Sequence, residues 1–256
     1  MNRKALRAAR FAGERSTMNI LPASPDAEAG KPVEPRSDAE TPTTTAPSGE
    51  SEKQLTPEEV PTLGYITQVL MGEYGIFELV DIQSVLDIGA NLGAFALWAR
   101  QMWPDCEIDC YEPMPDSFDR LRQNVACLDG VRGHRMAVTN IVNPIMRHGL
   151  NCSGEDSIHD LGCQKEPSVP VRTIRPDQLP HAEFVKIDTE GCEVEIVLGI
   201  LGTWKPKAFA LEWHCYADRI RLRVMLRNAG YKVAEIPSAI LSISKNVHVG
   251  IMKAWR

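Results

Sequence analysis

The chain has 256 residues, of which 43% are hydrophobic and 24% charged, a composition typical of a soluble globular protein. Its formal net charge of −6 argues against a nucleic-acid partner held by bulk electrostatics. No apolar run is long enough to cross a bilayer, so the sequence predicts no membrane partner and favours a cytoplasmic protein.

The first 57 residues form a tail of unusual composition. Its basic start, "MNRKALRAARFAGER", lacks the apolar stretch of a secretory signal, although it is Arg-rich and acid-poor like a transit peptide; Met18 is an alternative start. Residues 21–57 are rich in Pro, Thr, Ser and Glu and offer little to bury, which predicts disorder. A docking or regulatory role for this tail stays open.

The cysteines indicate a reducing compartment. Their number is odd, and they show neither a CxxC pair nor a Cys/His spacing of the kind that binds zinc. We therefore expect reduced thiols, with a redox role open only for Cys152 and Cys163, which share a loop.

From residue 58 onward the pattern predicts a single domain, without internal repeats. Apolar runs predict strands over residues 85–88, 107–111, 131–138, 184–188, 208–212, 231–236 and 247–252. Helical segments fall between them, over residues 93–102, 115–128, 193–201 and 218–229, and residues 139–180 are irregular. This alternation predicts an α/β fold with a mostly parallel seven-stranded sheet and helices on both faces. Such sheets bind ligands beyond the carboxyl ends of their strands.

The stretch "LDIGANLG" lies at such an end. Gly89 and Gly93 permit close backbone approach of a ligand. Asp87 precedes them where a dinucleotide-binding fold would have G-x-G-x-x-G, and this carboxylate suits a cation or zwitterion better than a pyrophosphate. The loop is therefore a candidate binding site formed by Asp87, Gly89, Ala90, Asn91 and Gly93.

Glu112 ends the second predicted strand, about 20 residues after the glycine motif, where an acidic residue meets ribose hydroxyls in nucleoside-binding α/β folds. A third motif, "KIDTEGCEVEIVLG", begins at the end of the fourth main strand. Asp188 ends that strand, and Glu190 and Glu193 flank the start of the following helix. Acids are also favoured there by the helix dipole alone, and Lys186 can pair with Asp188.

These motifs together carry a family resemblance. D-x-G-x-N-x-G resembles the first motif of the class I methyltransferases, and "VRTIRPDQLP", "KIDTEGCEVEIVLG" and "ALEWH" resemble the FkbM family of methyltransferases that use S-adenosylmethionine (SAM). The resemblance covers about residues 82–215 and implies a Rossmann-like fold, SAM as cofactor and, most often, an oxygen as the methylated atom. It also implies that the glycine loop passes under the methionine part of SAM and that Glu112 holds its ribose hydroxyls. Ala137 and Val138 would adjoin the adenine, with Thr139 and Asn140 at its edge.

Methyl transfer to a hydroxyl benefits from a general base. Asp188 and His214 are equally good candidates for this base, and Glu190 is a weaker one. His214 can also be interpreted as a loop histidine that is hydrogen-bonded to the backbone. Asp188 with Glu212 could instead hold a divalent cation, but the sequence shows no clear third ligand and the resemblance does not require a metal, so we predict none. Substrate contacts are expected from the stretch 139–180, at Ser153, Ser157 and His159.

The sequence thus favours a SAM-dependent methyltransferase that acts on a hydroxyl of a small molecule or sugar. One alternative is an N-methyltransferase or a methyltransferase of macromolecules. N-methyltransferases often have an N/D-P-P-Y/F motif after the fourth strand, and the D-T-E-G found there in this sequence argues against that group. A second alternative is a non-catalytic interaction module that keeps the fold. The acceptor and the oligomeric state are not determined by the sequence.

Overall fold

The computed structural model describes residues 69, 71–76, 78–79, 81–142, 144–149, 164–237 and 249–256. The predicted tail and the candidate substrate contacts Ser153, Ser157 and His159 lie outside these residues. Within them, no helix has the length and apolar content that a membrane span needs. The cysteines of the described ranges are free thiols, namely Cys106, Cys110, Cys127, Cys192 and Cys215.

One seven-stranded sheet organises the chain. Its strands are β1 (Ser84–Ile88), β2 (Glu107–Tyr111), β3 (Val131–His134), β8 (Phe184–Ile187), β9 (Ala208–Trp213), β10 (Lys232–Pro237) and β11 (Gly250–Trp255). They lie in the order β10-β11-β9-β8-β1-β2-β3. Neighbouring strands from β9 to β3 are parallel, and β11 is antiparallel to both of its neighbours. The predicted mostly parallel sheet is confirmed.

Four helices cover the two faces of this sheet: α1 (Ala94–Met102), α2 (Pro115–Asn124), α3 (Glu193–Leu201) and α4 (Tyr216–Asn228). Successive strand residues point to opposite faces, so Val85 and Leu86 of β1 belong to different hydrophobic clusters. Val85 packs in the cluster that contains Phe95 of α1 and Leu121 of α2. Leu86 belongs to the cluster with residues of α3 and α4. The apolar runs read from the sequence are therefore strands buried on both faces.

The third predicted strand, over residues 131–138, is wrong in its second half. β3 ends at His134, and Ala137–Val138 form a separate short strand, β4, which pairs with β7 (Thr173–Ile174) outside the main sheet. The backbone hydrogen bonds explain the break, because Ala137 N donates to Arg172 O and Thr139 N donates to Ile174 O. Ala137 and Val138 are buried in this arrangement too, so their apolar character could not reveal the change of partner.

The expectation that residues 139–180 are irregular is also corrected where the structure describes them. β5 (Ile145–Gly149) and β6 (Gln164–Pro170) form an antiparallel pair, followed by β7 and a 3-10 helix, Pro176–Gln178. α2 ends at Asn124, four residues before the predicted end at residue 128. α4 begins at Tyr216, two residues before the predicted start at 218, because the Cys215 side chain caps the helix by accepting a hydrogen bond from Asp218 N.

The strand order reverses between β1 and β8, which makes their carboxyl ends the switch point where open α/β sheets bind ligands. The loops that follow these two strands touch. Gly89, with φ +75°, lies so close that an added Cβ would be 1.7 Å from the carbonyl oxygen of Asp188. The fold thus brings the glycine motif and the third motif into contact.

We expect Gly89→Ala to lower the free energy of unfolding by about 3 kcal/mol or more, because the new methyl group overlaps backbone atoms as well as straining φ. Gly230→Ala is the matched control, since Gly230 has φ +96° but no atom within 4 Å of an added Cβ. Gly230→Ala should lower the free energy of unfolding by about 1 kcal/mol. Urea denaturation measures both, and equal losses would contradict the close contact between the two loops.

Candidate active site

Asp87 lies at the carboxyl end of β1 with a side chain that is 0% exposed. The Nζ atom of Lys186, on the neighbouring strand β8, lies 3.4 Å from Asp87 Oδ1 and donates a hydrogen bond of 2.6 Å to Gly89 O. Neither oxygen of Asp87 accepts a hydrogen bond of good geometry from the residues that the structure describes. Burial raises the pKa of Asp87, and Lys186 opposes that rise. Lys186 is thus a cation of the protein itself beside Asp87, and a contact of Asp87 with a cationic ligand stays a prediction.

Positive φ angles shape the loop after β1: +75° at Gly89, +47° at Asn91 and +86° at Gly93. An added Cβ on Gly93 would lie 2.7 Å from Leu121 Cδ1, so packing within the protein adds to the positive φ angles in favouring glycine at both positions. The N–H groups of Gly89 and Ala90 both donate to Tyr111 O, at 2.9 and 3.0 Å. The loop is therefore held against the end of β2. The contact of these residues with a cofactor stays a prediction.

Glu112 follows β2 and is 6% exposed. Its Oε2 accepts the N–H of Asn91 at 2.8 Å, and its Oε1 accepts the N–H of Met114 at 2.8 Å. Two backbone donors therefore fix the orientation of this carboxylate beside the glycine loop. The structure brings together the first two predicted motifs.

The predicted adenine neighbours occupy a different element from the one expected. Ala137 and Val138 are buried in β4, 7% and 3% exposed. The Thr139 hydroxyl donates to Glu195 Oε1 of α3, and Asn140 N donates to the same oxygen at 3.3 Å. Thr139 thus has a protein partner, and adenine contact by any of these residues stays a prediction.

Asp188 and Glu212 lie side by side, because Ile187 of β8 and Leu211 of β9 are paired in register. The Tyr74 hydroxyl donates to Asp188 Oδ2 at 3.1 Å and lies 3.4 Å from Glu212 Oε2. Lys186 Nζ is 3.5 Å from Asp188 Oδ2. Burial, reinforced by the charge of Asp188, raises the pKa of Glu212 well above its usual range. The direction of this shift favours the neutral form of Glu212, and the Lys186 ammonium faces the Asp188 carboxyl group.

His214 is surrounded by carboxylates. Its Nε2 lies 3.2 Å from Glu190 Oε2 and 3.9 Å from Asp188 Oδ1, and its Nδ1 lies 3.3 Å from Glu193 Oε1. Burial acts to lower the pKa of His214, but Glu190 and Glu193 outweigh it and raise this pKa well above its usual value. An imidazolium has no lone pair to accept a proton. This protonation state argues against His214 as the general base and favours Asp188.

Glu193 anchors this cluster at the start of α3, where it is 1% exposed. Its Oε1 accepts from Thr189 N at 3.1 Å, from Thr189 Oγ1 at 3.0 Å and from Gly191 N at 3.0 Å. Burial raises its pKa, but His214 and the backbone donors outweigh burial and lower the pKa to about 2. These bonds hold the turn that contains Glu190, whose φ is +55°. Glu193 therefore orders the loop and His214, the structural role that the sequence left open.

Two residues of this site escaped the sequence analysis, Glu73 and Tyr74. They lie in a turn between Gly72 and Gly75, upstream of every motif. Burial and the nearby Asp188 raise the pKa of Glu73 to about 7. In the sequence these two polar residues stand between two glycines in an otherwise apolar segment. That pattern does not indicate which strand end the two side chains contact.

Asp188, Glu190 and His214 each offer one ligand atom, and these atoms lie within 4.8 Å of one another. This group differs from the pair considered from the sequence, Asp188 with Glu212, because Glu190 and His214 take the place of Glu212. In this structure the same atoms form ion pairs with each other. The prediction of no metal stays untested.

The strand order and the two motifs at the switch point define a Rossmann-like α/β fold of the methyltransferase type. The chain belongs to the FkbM methyltransferase family, since the model of the methyltransferase FkbM domain matches residues 87–233, more than half of the chain. The predicted family membership is confirmed, and the protein is a methyltransferase.

Three named relatives are similar to parts of the chain. Methyltransferase sdnD of Sordaria araneosa is 21% identical, over 62% of this chain and 78% of the relative. The 2-O-methyltransferase NoeI of Sinorhizobium fredii is 27% identical, over 45% of this chain and 56% of the relative. The hexuronic acid methyltransferase AglP of Haloferax volcanii is 30% identical, over 52% of this chain and 56% of the relative. The chain thus spans little more than half the length of NoeI and AglP.

Among solved structures, the chain is similar to a precorrin-6y C5,15-methyltransferase of Geobacter metallireducens, with a TM-score of 0.45 and 18% identity over 81% of this chain and 94% of that one. It is also similar to TYW2 of M. jannaschii in complex with AdoMet, with a TM-score of 0.45 and 11% identity. That similarity covers 79% of this chain and 77% of the other.

The stability that His214 contributes should depend on pH. Its pKa is raised on folding, so its contribution is complete below the ordinary value of 6.5 and is lost as pH rises toward and through the raised pKa. We expect His214→Gln to lose more unfolding free energy, relative to wild type, at pH 6 than at pH 9.5. His181→Gln is the control, because His181 stacks on Trp204 outside the cluster. A deficit for His214→Gln that does not change with pH would contradict the imidazolium.

Proposed function

We propose that this methyltransferase uses SAM to methylate a hydroxyl group of a small molecule or sugar. One observation carries the proposal: the Glu112 carboxylate is fixed by Asn91 N–H, so that the acid after β2 and the glycine loop after β1 meet at the switch point of the sheet. The names of NoeI, a 2-O-methyltransferase, and AglP, a hexuronic acid methyltransferase, support oxygen as the methylated atom and a sugar as the acceptor.

The residues of this crevice fit SAM. The oriented Glu112 carboxylate is suited to the two ribose hydroxyls, and the loop from Gly89 to Gly93 to the methionine part. Ala137 and Val138 stay the proposed neighbours of the adenine. SAM supplies, when bound, an electrophilic methyl group on a sulfonium. Asp87 contributes indirectly, because it shares Lys186 with the Gly89 carbonyl and so helps to set the shape of the loop.

We assign the general base to Asp188. Its backbone carbonyl lies against Gly89, and in this scheme its carboxylate, at the end of β8, accepts a proton from the acceptor hydroxyl. Lys186 Nζ and His214 Nε2 lie 3.5 and 3.9 Å from the Asp188 carboxyl oxygens and orient this group for that transfer. Glu190 keeps its place through His214 and takes no proton in this scheme.

Calorimetric titration with SAM tests the cofactor. We expect wild type to bind and Glu112→Ala to bind at least about 10-fold more weakly, because hydrogen bonds to a charged group are lost. Glu107→Ala is the matched control, since Glu107 begins the same strand at its other end and pairs with Arg132 at the surface. Thermal unfolding checks that each variant is folded. Folded wild type that does not bind SAM would overturn the proposal.

Kinetics with tritiated SAM and a panel of methyl glycosides tests the base. Asp188→Asn keeps the size of the side chain but loses its proton affinity, so kcat should fall about 100-fold or more. His214→Gln should reduce kcat less. Mass spectrometry of the product should find the methyl group on oxygen. Activity that EDTA abolishes and Mn²⁺ restores would instead assign Asp188, Glu190 and His214 to a metal ion.

A further inference from the structure

The turn formed by Gly72–Gly75 lies outside the matched domain of residues 87–233, yet it is fixed to the body of the fold. Gly72 N donates to Val69 O and Gly75 N donates to Gly72 O, both at 2.9 Å. A Cβ on Gly75 would lie 2.8 Å from Trp98 Cζ2 of α1, so the turn packs tightly against this helix. On its other side, Lys253 Nζ of β11 donates to Gly75 O at 2.6 Å. The position of Tyr74 is therefore set by contacts with α1 and β11.

Tyr74 joins this turn to the strand ends. Its side chain is 1% exposed, and its ring meets Phe95 edge to face, with 5.9 Å between ring centroids. Lys186 Nζ lies 5.4 Å from the centroid of the same ring. The ring thus belongs to the core, whereas the hydroxyl reaches Asp188 Oδ2 at 3.1 Å and Glu212 Oε2 at 3.4 Å. A substitution that removes the hydroxyl and keeps the ring therefore separates the effect of the hydrogen bonds from that of core packing.

We propose that Tyr74 is a positioning residue for methyl transfer, which acts by holding the Asp188 carboxylate in the orientation that accepts the proton of the acceptor. The proposal rests on the proposed function, because it assigns Tyr74 a role through Asp188. The side chains of Asp188 and Glu212 lie on adjacent strand ends, and the Tyr74 hydroxyl is within hydrogen-bond distance of both. A hydroxyl placed between them gives Asp188 a donor and reduces the freedom of its χ angles. Rotation of Asp188 away from the acceptor would cost rate because catalysis depends on correct placement of the base.

The test is Tyr74→Phe, which removes the hydroxyl and keeps the ring. We expect kcat to fall about 10-fold, with the Kd for SAM unchanged within about twofold, because only the orientation of the base is affected. Tyr231→Phe is the matched control, because Tyr231 is also buried and its hydroxyl donates to a backbone carbonyl, Pro206 O at 2.7 Å, rather than to a carboxylate. This control should retain the kcat of wild type.

A double-mutant cycle with Asp188→Asn decides whether Tyr74 acts through Asp188. We expect Tyr74→Phe to change kcat no further in an Asp188→Asn background, since the group that it orients is gone. A kcat within twofold of wild type for Tyr74→Phe, or equal losses in both backgrounds, would overturn the positioning role. Wild type that binds SAM but methylates no acceptor, or that does not bind SAM, would overturn the proposed function and this role with it.

Discussion

The buried ammonium of Lys186 is the interaction on which the rest of the site depends. It lies between Asp87 of β1 and Asp188 after β8, and it also donates to the Gly89 carbonyl. Burial alone lowers the pKa of Lys186, but the two carboxylates outweigh it and raise this pKa. One cation therefore connects the strand ends on both sides of the switch point. The glycine loop and Asp188 share this cation, which couples the end of β1 to the end of β8.

A second set of ion pairs fixes the protonation states around Asp188. His214 is held as a cation by its contacts with Glu190 and Glu193, and Glu193 is held as an anion by donors from the turn before α3. Glu190 and Glu193 belong to the motif that follows β8, whereas His214 follows β9. The cluster therefore forms only when β8 and β9 pair. The physical result is that neighbouring acids have opposite shifts: the pKa of Glu193 is lowered to about 2, and that of Glu212 is raised.

Most of the sheet could be predicted from the sequence, because strands buried on both faces appear as continuous apolar runs. β2 and α3 have the predicted ends, 107–111 and 193–201. The prediction failed where pairing, rather than burial, decides the structure. Ala137 and Val138 are apolar and buried as expected, but their backbone bonds go to the segment around β7. The role of Tyr74 was not visible for the same reason, since its partners are 114 and 138 residues away.

The sequence by itself determined the alternation of strands and helices, the family, and the identity of the acids at three strand ends, because these follow from local patterns and short motifs. Only the tertiary structure decided which charges meet. It placed Lys186 beside Asp87, and it brought Glu190 and Glu193 to His214, which raises the pKa of that imidazole. The physical reason is that a pKa depends on burial and on charges brought close by folding, and neither is a property of a residue's position in the chain.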